Sequence, residues 1–165
     1  MKLAVIYDSR SNNTASCAEA IARGMQTVEG TEARIFHIDD FDLDYVKECT
    51  GIVFGTPTYM AGPSSSMYSW FEKNCQKMDL PGKLGGAFAT GNYIHGGEDL
   101  AITILLTHML TKGMMVYSSG NAFGKPFIHV GPVSITPDTD KFLELFETYG
   151  YRFATQAKNI IYPIK

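Results

Sequence analysis

Six consecutive small or polar residues, Ser9, Arg10, Ser11, Asn12, Asn13 and Thr14, follow directly on an apolar run and precede a helical pattern. Their hydroxyls and amides, with the free N–H groups of a helix start, can satisfy a phosphate monoester. No Gly-x-x-x-x-Gly-Lys is present, which excludes a triphosphate loop, and no Gly-x-Gly-x-x-Gly supports a dinucleotide loop. A turn in which Asn13 or Thr14 merely caps the helix accounts for this loop alone equally well. A second polar turn carries Pro57, Thr58, Tyr59, Met60 and Ala61. An aromatic ring and a thioether suit the face or edge of a planar heterocycle. A third carries Thr90, Gly91, Asn92, Tyr93, His95, Gly96 and Gly97, whose glycines let backbone amides approach a polar ring edge. Taken singly, the second and third also read as ordinary connections.

The elements around these loops follow from periodicity. Residues 3–7 and 51–55 are short continuous apolar runs, as in strands covered on both faces. Residues 32–38, 84–89 and 114–117 supply three more strands. Helical stripes run through Ala18, Ile21, Ala22 and Met25, through Met67, Trp70 and Phe71, and through Ala101, Ile104, Leu105 and His108. A short helix is expected around 43–49, and Phe142, Leu145, Phe146, Tyr149 and Phe153 mark a last one. Thr136-Pro137-Asp138 reads as its N-cap, Pro at the first turn and acidic first turn, while 118–135 reads as irregular. Alternating strands and helices imply an α/β three-layer sandwich. Its parallel sheet of five strands takes the order 2-1-3-4-5, with helices on both faces. In that order ligands bind beyond the C-terminal strand ends where the order reverses, which is where the three loops converge.

Composition bounds the function. The chain has 165 residues, 45% of them apolar and 19% charged, which suits one folded domain over 1–165. Its 14 basic and 17 acidic side chains leave a net charge of −3, with no basic patch for nucleic acid. Cys17, Cys49 and Cys75 lack metal-ligand spacing and read as buried hydrophobes, so neither a metal site nor a disulfide framework is expected. No apolar run is long enough for a membrane span, and a reducing, cytoplasmic setting is expected. His108 sits in an apolar stripe and reads as a packing residue, as does Trp70; His95 in the third loop reads equally as a contact to ring or substrate and as a plain loop residue, and His129 is a weak candidate. Asp8 ends the first strand as in a phosphoacceptor pocket. The third strand ends in Gly55-Thr56-Pro57 without the needed Asp, and that reading is rejected.

Together the loops resemble the flavodoxin superfamily, and within it the WrbA-type NAD(P)H:quinone oxidoreductases and the related NAD(P)H-dependent FMN reductases. Ser9-Arg10-Ser11-Asn12-Asn13-Thr14 is similar to the phosphate-loop pattern Ser/Thr-x-Ser/Thr-Gly-Asn-Thr, with Asn12 for the glycine. Gly55-Thr56-Pro57-Thr58-Tyr59 resembles Gly-Thr-Pro-Thr-Arg, with Tyr59 for the arginine. Thr90-Gly91 and His95-Gly96-Gly97-Glu98 resemble Ser-Thr-Gly-Thr-x-His-Gly-Gly-Gln, with Glu98 for glutamine. Lys112-Gly113-Met114 and Gly124-Lys125-Pro126-Phe127 resemble that branch's His-Gly-Met and Gly-x-Pro-Tyr. The resemblance implies FMN held non-covalently by the three loops, NAD(P)H as reductant, a small quinone-like acceptor and a homodimer or homotetramer. It implies no catalytic acid, base or nucleophile, because the flavin carries the chemistry. The alternative is a flavodoxin-type single-electron carrier between redox proteins. The mild net charge of −3 speaks for the oxidoreductase, since charge-steered carriers are typically strongly acidic. A third reading is a flavin domain of a larger assembly, or an interaction module that has lost its flavin.

Overall fold

The computed structural model describes residues 1–161. Strand β1 (Lys2–Tyr7) is central: Leu3, Ala4, Val5 and Ile6 are fully buried, so both of its faces are covered. It pairs in parallel with β2 (Glu32–His37) on one side and β3 (Gly51–Tyr59) on the other. Strand β3 also pairs in parallel with β5 (Leu84–Gly91), from Gly51 opposite Leu84 to Pro57 opposite Thr90. The principal path is β2-β1-β3-β5-β6, with β6 spanning Met115–Val116. The sheet holds seven strands, not the five expected.

Both additional strands have identifiable origins. Strand β3 does not stop at Gly55. It runs on to Tyr59 and turns through Met60 and Ala61 into β4 (Gly62–Pro63), which pairs back antiparallel. Strand β7 (Val133–Ile135) lies within the stretch expected to be irregular. It pairs in parallel with β5 at Ala89, Thr90 and Gly91, whereas β6 pairs with β5 at Leu84 and Gly85. Thus β6 and β7 occupy the same flank of β5, and residues 117–132 interrupt that edge. Arg152 fastens the interruption: its guanidinium donates to Ser119 Oγ and to the carbonyls of Phe123, Gly124, Lys125 and Pro126, at 3.0–3.4 Å. Tyr149 donates its hydroxyl to the Tyr117 carbonyl at 3.2 Å.

Among the described residues the five α-helices are α1 (Asn13–Gln26), α2 (Leu43–Glu48), α3 (Ser65–Asn74), α4 (Glu98–Thr111) and α5 (Leu143–Ile161). Alternation along the strands divides the apolar residues between two layers. Ala4, Ile6, Ile52 and Phe54 join Met67, Trp70 and Phe71 of α3 and Ala101, Ile102 and Leu105 of α4. Leu3, Val5, Val53 and Phe88 join Cys17, Ile21 and Met25 of α1 and Phe146, Tyr149 and Phe153 of α5. All three cysteines are free and buried. Burial pushes the Cys17 thiol up to about 11 and the Cys49 thiol up to about 12. The last helix departs from expectation at its start: Thr139–Phe142 form a 3-10 turn and α5 begins at Leu143. Thr136 is no cap, because its hydroxyl accepts from Asn13 Nδ2 at 2.9 Å. No described helix is long and apolar enough to cross a membrane.

Candidate functional site

The order β2-β1-β3 brings the C-terminal ends of β1, β3 and β5 side by side, and the three loops leave from those ends. The first loop does not behave as a simple helix cap. The N-cap of α1 is Asn12, in a left-handed conformation (φ 66°) and without a side-chain capping hydrogen bond. Asn13 is already helical, and its side-chain amide donates to Ser11 Oγ and Thr136 Oγ1. Ser9 Oγ accepts from the Ala15 amide at 3.4 Å. Thr14, 2% exposed, shares a hydrogen bond of 2.9 Å with the hydroxyl of Thr90, 4% exposed. Polar side chains therefore lock the first loop to the start of the third and to the end of β7. The amides of Asn13 and Thr14 at the start of α1 have no intrahelical acceptors, whereas that of Ala15 is taken by Ser9 Oγ.

Most of the second loop is a tight hairpin. Met60 (φ 51°) and Ala61 (φ 58°) both lie in the left-handed region, as a two-residue turn of the I′ kind requires, although neither is Gly, Asn or Asp. Such positions cost about 1–3 kcal/mol each and persist where surroundings over-determine them. The surroundings here include Gly97 (φ 100°), the N-cap of α4, where a Cβ would fall 2.5 Å from Ala61 Cα. The second and third loops thus touch backbone to backbone. Thr58 Oγ1 is buried with no hydrogen-bond partner among the described residues. Met60 is fully exposed, and Tyr93 and Ile94 are about three-quarters exposed. Arg10 reaches across from the first loop to place its Cζ 4.8 Å from the Tyr59 ring centroid. At an exposed site that contact is worth about 0.5–1 kcal/mol.

Two polar residues beneath the loops were not singled out as site residues. Glu98, 6% exposed, tucks its carboxylate under the third loop, where a Cβ on Gly91 or Gly96 would collide with Oε1. Asp8, 4% exposed, accepts from Ser64 Oγ, which also caps α3 by accepting from the Met67 amide. His37 Nε2 stands 3.7 Å from Asp8. Asp8 and Ser64 are 56 positions apart in the chain, so no local spacing announces the pair.

The other singled-out residues fall elsewhere. Lys112, which takes the place of the quinone-reductase branch's histidine, and its neighbour Thr111 lie at the C-terminal end of α4. Thirteen residues separate Thr111 from Glu98, a helical rise of about 20 Å, so they stand well away from the three loops. His108 packs between Tyr68 and Phe71, with ring centroids at 4.8 and 5.5 Å, and burial lowers its pKa. His129 is exposed on the 117–132 segment and forms no ion pair or side-chain hydrogen bond among the described residues. His95 (φ 66°) is exposed on the third loop.

The family model described as Flavodoxin matches residues 5–105, which includes all three loops. The chain belongs to the flavodoxin family. A flavodoxin of Clostridium saccharobutylicum is 39% identical over 160 residues, covering 97% of this chain and 99% of that protein. An NAD(P)H dehydrogenase (quinone) of Chromohalobacter salexigens is 29% identical, covering 70% and 69%. The solved structure of a flavodoxin from the domain Archaea superposes with a TM-score of 0.78 at 26% identity, over 96% of this chain and 99% of that one.

Flavodoxins and flavodoxin-like folds bind FMN, and the residues here suit it. The amides at the start of α1 that lack intrahelical acceptors and the hydroxyls of Ser9 and Ser11 suit a phosphate. The orphaned Thr58 Oγ1 offers a buried polar atom to a ligand, and Tyr59 offers an aromatic face. Among the described residues no group of acidic, His and Cys side chains could hold a metal ion.

Proposed function

We propose that this chain is an FMN-dependent single-electron carrier between redox proteins, acting as one domain. Ser9, Ser11, Asn12, Asn13 and Thr14 hold the phosphate. Pro57, Thr58, Tyr59, Met60 and Ala61 flank one side of the ring, and Thr90, Gly91, Asn92, Tyr93, His95, Gly96 and Gly97 flank the other. Bound FMN supplies the redox chemistry; the protein fixes its orientation and limits water. The reading rests chiefly on one observation, the exposed apolar rim of Met60, Tyr93 and Ile94. Large apolar side chains held in solvent beside a binding site mark a surface for a protein partner. A small-acceptor reductase instead needs a concave pocket burying most of its substrate. The full-length similarity to a flavodoxin supports the same reading.

Taken alone, the mild net charge of −3 favours the oxidoreductase. Charge steers the encounter rate, and it weighs less than similarity along the whole chain. The second reading remains an NAD(P)H:quinone oxidoreductase, with NAD(P)H and a quinone-like acceptor as its ligands. The dehydrogenase relative favours it, over a smaller share of the chain.

An anaerobic titration of FMN-loaded protein separates the two. The carrier takes up electrons from dithionite in two resolved one-electron phases and stays oxidised through minutes with NADH or NADPH. Rapid, complete bleaching by either nucleotide in a single two-electron phase would overturn the carrier. Protein that fails to bind FMN would sink both.

A further inference from the structure

Arg10 is the cation of the first loop, and among the described residues it joins no ion pair and no side-chain hydrogen bond. Its one defined partner is the ring of Tyr59, across the gap between the β1 and β3 ends. Arg10 and Tyr59 line a groove of about 540 Å3 with Pro63, Ser65, Tyr68 and Glu72. No residue of the third loop lines that groove. The guanidinium thus sits over one face of the Tyr59 ring. Glu72, in the same groove, stays beyond ion-pair distance, so the charge of Arg10 is not neutralised locally.

We infer that Arg10, seated on Tyr59, sets how strongly the protein favours the fully reduced flavin and so fixes the potential of the second electron. The inference rests on the FMN-carrier reading above. A second electron adds negative charge beside Tyr59. A cation seated on Tyr59 stabilises that charge more than it stabilises the neutral oxidised ring. At 0.1 M salt the screening length is about 10 Å, long enough for the interaction to act; at 1 M it is about 3 Å. Arg10 is a positioning residue here, working through the tyrosine it stacks on. The electrons enter from and leave to the partner proteins, and no bond to Arg10 forms or breaks.

The test compares FMN-loaded wild type with Arg10→Gln, Arg10→Lys and Tyr59→Leu. FMN dissociation constants are measured in the oxidised and dithionite-reduced states, and both midpoint potentials by spectroelectrochemistry. Arg10→Gln is expected to weaken binding of reduced FMN about three- to tenfold more than binding of oxidised FMN. At 59 mV per tenfold for one electron, this lowers the second potential by about 28–59 mV. Arg10→Lys keeps most of the wild-type value, Tyr59→Leu loses part of it, and the difference shrinks at 1 M salt. Equal weakening in both redox states would overturn the inference and make Arg10 a phosphate ligand only. Tighter binding of oxidised FMN by Arg10→Gln would also overturn it, since Arg10 would then be occupying the place of the ring. Reduction of the wild type by NAD(P)H would sink the carrier reading while the Arg10 comparison still gave its own answer. Wild type without FMN affinity would remove both.

Discussion

The first loop and the turn at Met60-Ala61 stand side by side, yet they are built in opposite ways. The first is knitted inward: Thr14 to Thr90, Asn13 to Thr136, Ser9 to the Ala15 amide. The second is held outward in a strained conformation, with Met60 entirely in solvent. An anchor benefits from groups fixed in place before the ligand arrives, because their ordering has already been offset by folding. A rim that meets other proteins benefits from exposure, even at a cost in local backbone energy. On the proposed reading the anchored loop would hold the cofactor and the strained turn would present it.

If this division is real, substitutions in the two regions should separate stability, FMN affinity and partner transfer. The largest effect is expected where the strained turn packs on the third loop. Gly97→Val places a β-branched residue at φ 100° and drives its Cβ into the Ala61 backbone. It should cost about 3 kcal/mol in urea unfolding and more than tenfold in FMN affinity by fluorescence titration. Next is Thr14→Val on the anchored side, which strands the buried Thr90 hydroxyl. A loss of about 1–3 kcal/mol should accompany roughly tenfold weaker FMN binding, about 1.4 kcal/mol. On the exposed side the sign reverses. Met60→Gly relieves the left-handed strain and removes no buried contact, so the protein should gain about 0.5–1 kcal/mol. Stopped-flow electron transfer to a partner should slow nonetheless. An equal loss of stability from Met60→Gly and Thr14→Val would erase the contrast.

The smallest effect is a control remote from both regions. The folded-state pKa of His108 is lowered by burial. Between that value and the unfolded value of about 6.5, the unfolded chain binds more protons, so stability rises with pH and falls as the solution is acidified. His108→Leu should flatten this part of a Tm-against-pH curve and leave FMN affinity unchanged. A slope that survives the substitution would assign it to other groups.

Much of the scaffold was legible because it depends on local pattern. The apolar run of β1 and the helical stripes of α1, α3 and α5 report burial directly, and all three cysteines are buried as their isolated spacing suggested. The convergence of the three loops followed from strand order. What escaped was what two distant segments decide together. Met-Ala carries no turn signal; only the fit against Gly97 and the pairing of Tyr59 with Gly62 makes it a hairpin turn. Strand β7 was hidden because 16 irregular residues separate it from β6, so no continuous run announces the edge. Thr136 resembled a helix cap, and its hydroxyl was claimed by Asn13, 123 positions away. Asp8 reads locally only as a phosphoacceptor candidate, because its partner Ser64 lies 56 positions away.

The interruption at 117–132 carries one more consequence. A long, flat outer strand is a template onto which another chain can add, the usual route to unwanted fibrous assembly. Here that border consists of two residues, a strapped detour and three residues, with Arg152 holding the detour down. A protein with oily side chains exposed at one end of its sheet thereby denies its neighbours an uninterrupted ladder along this side.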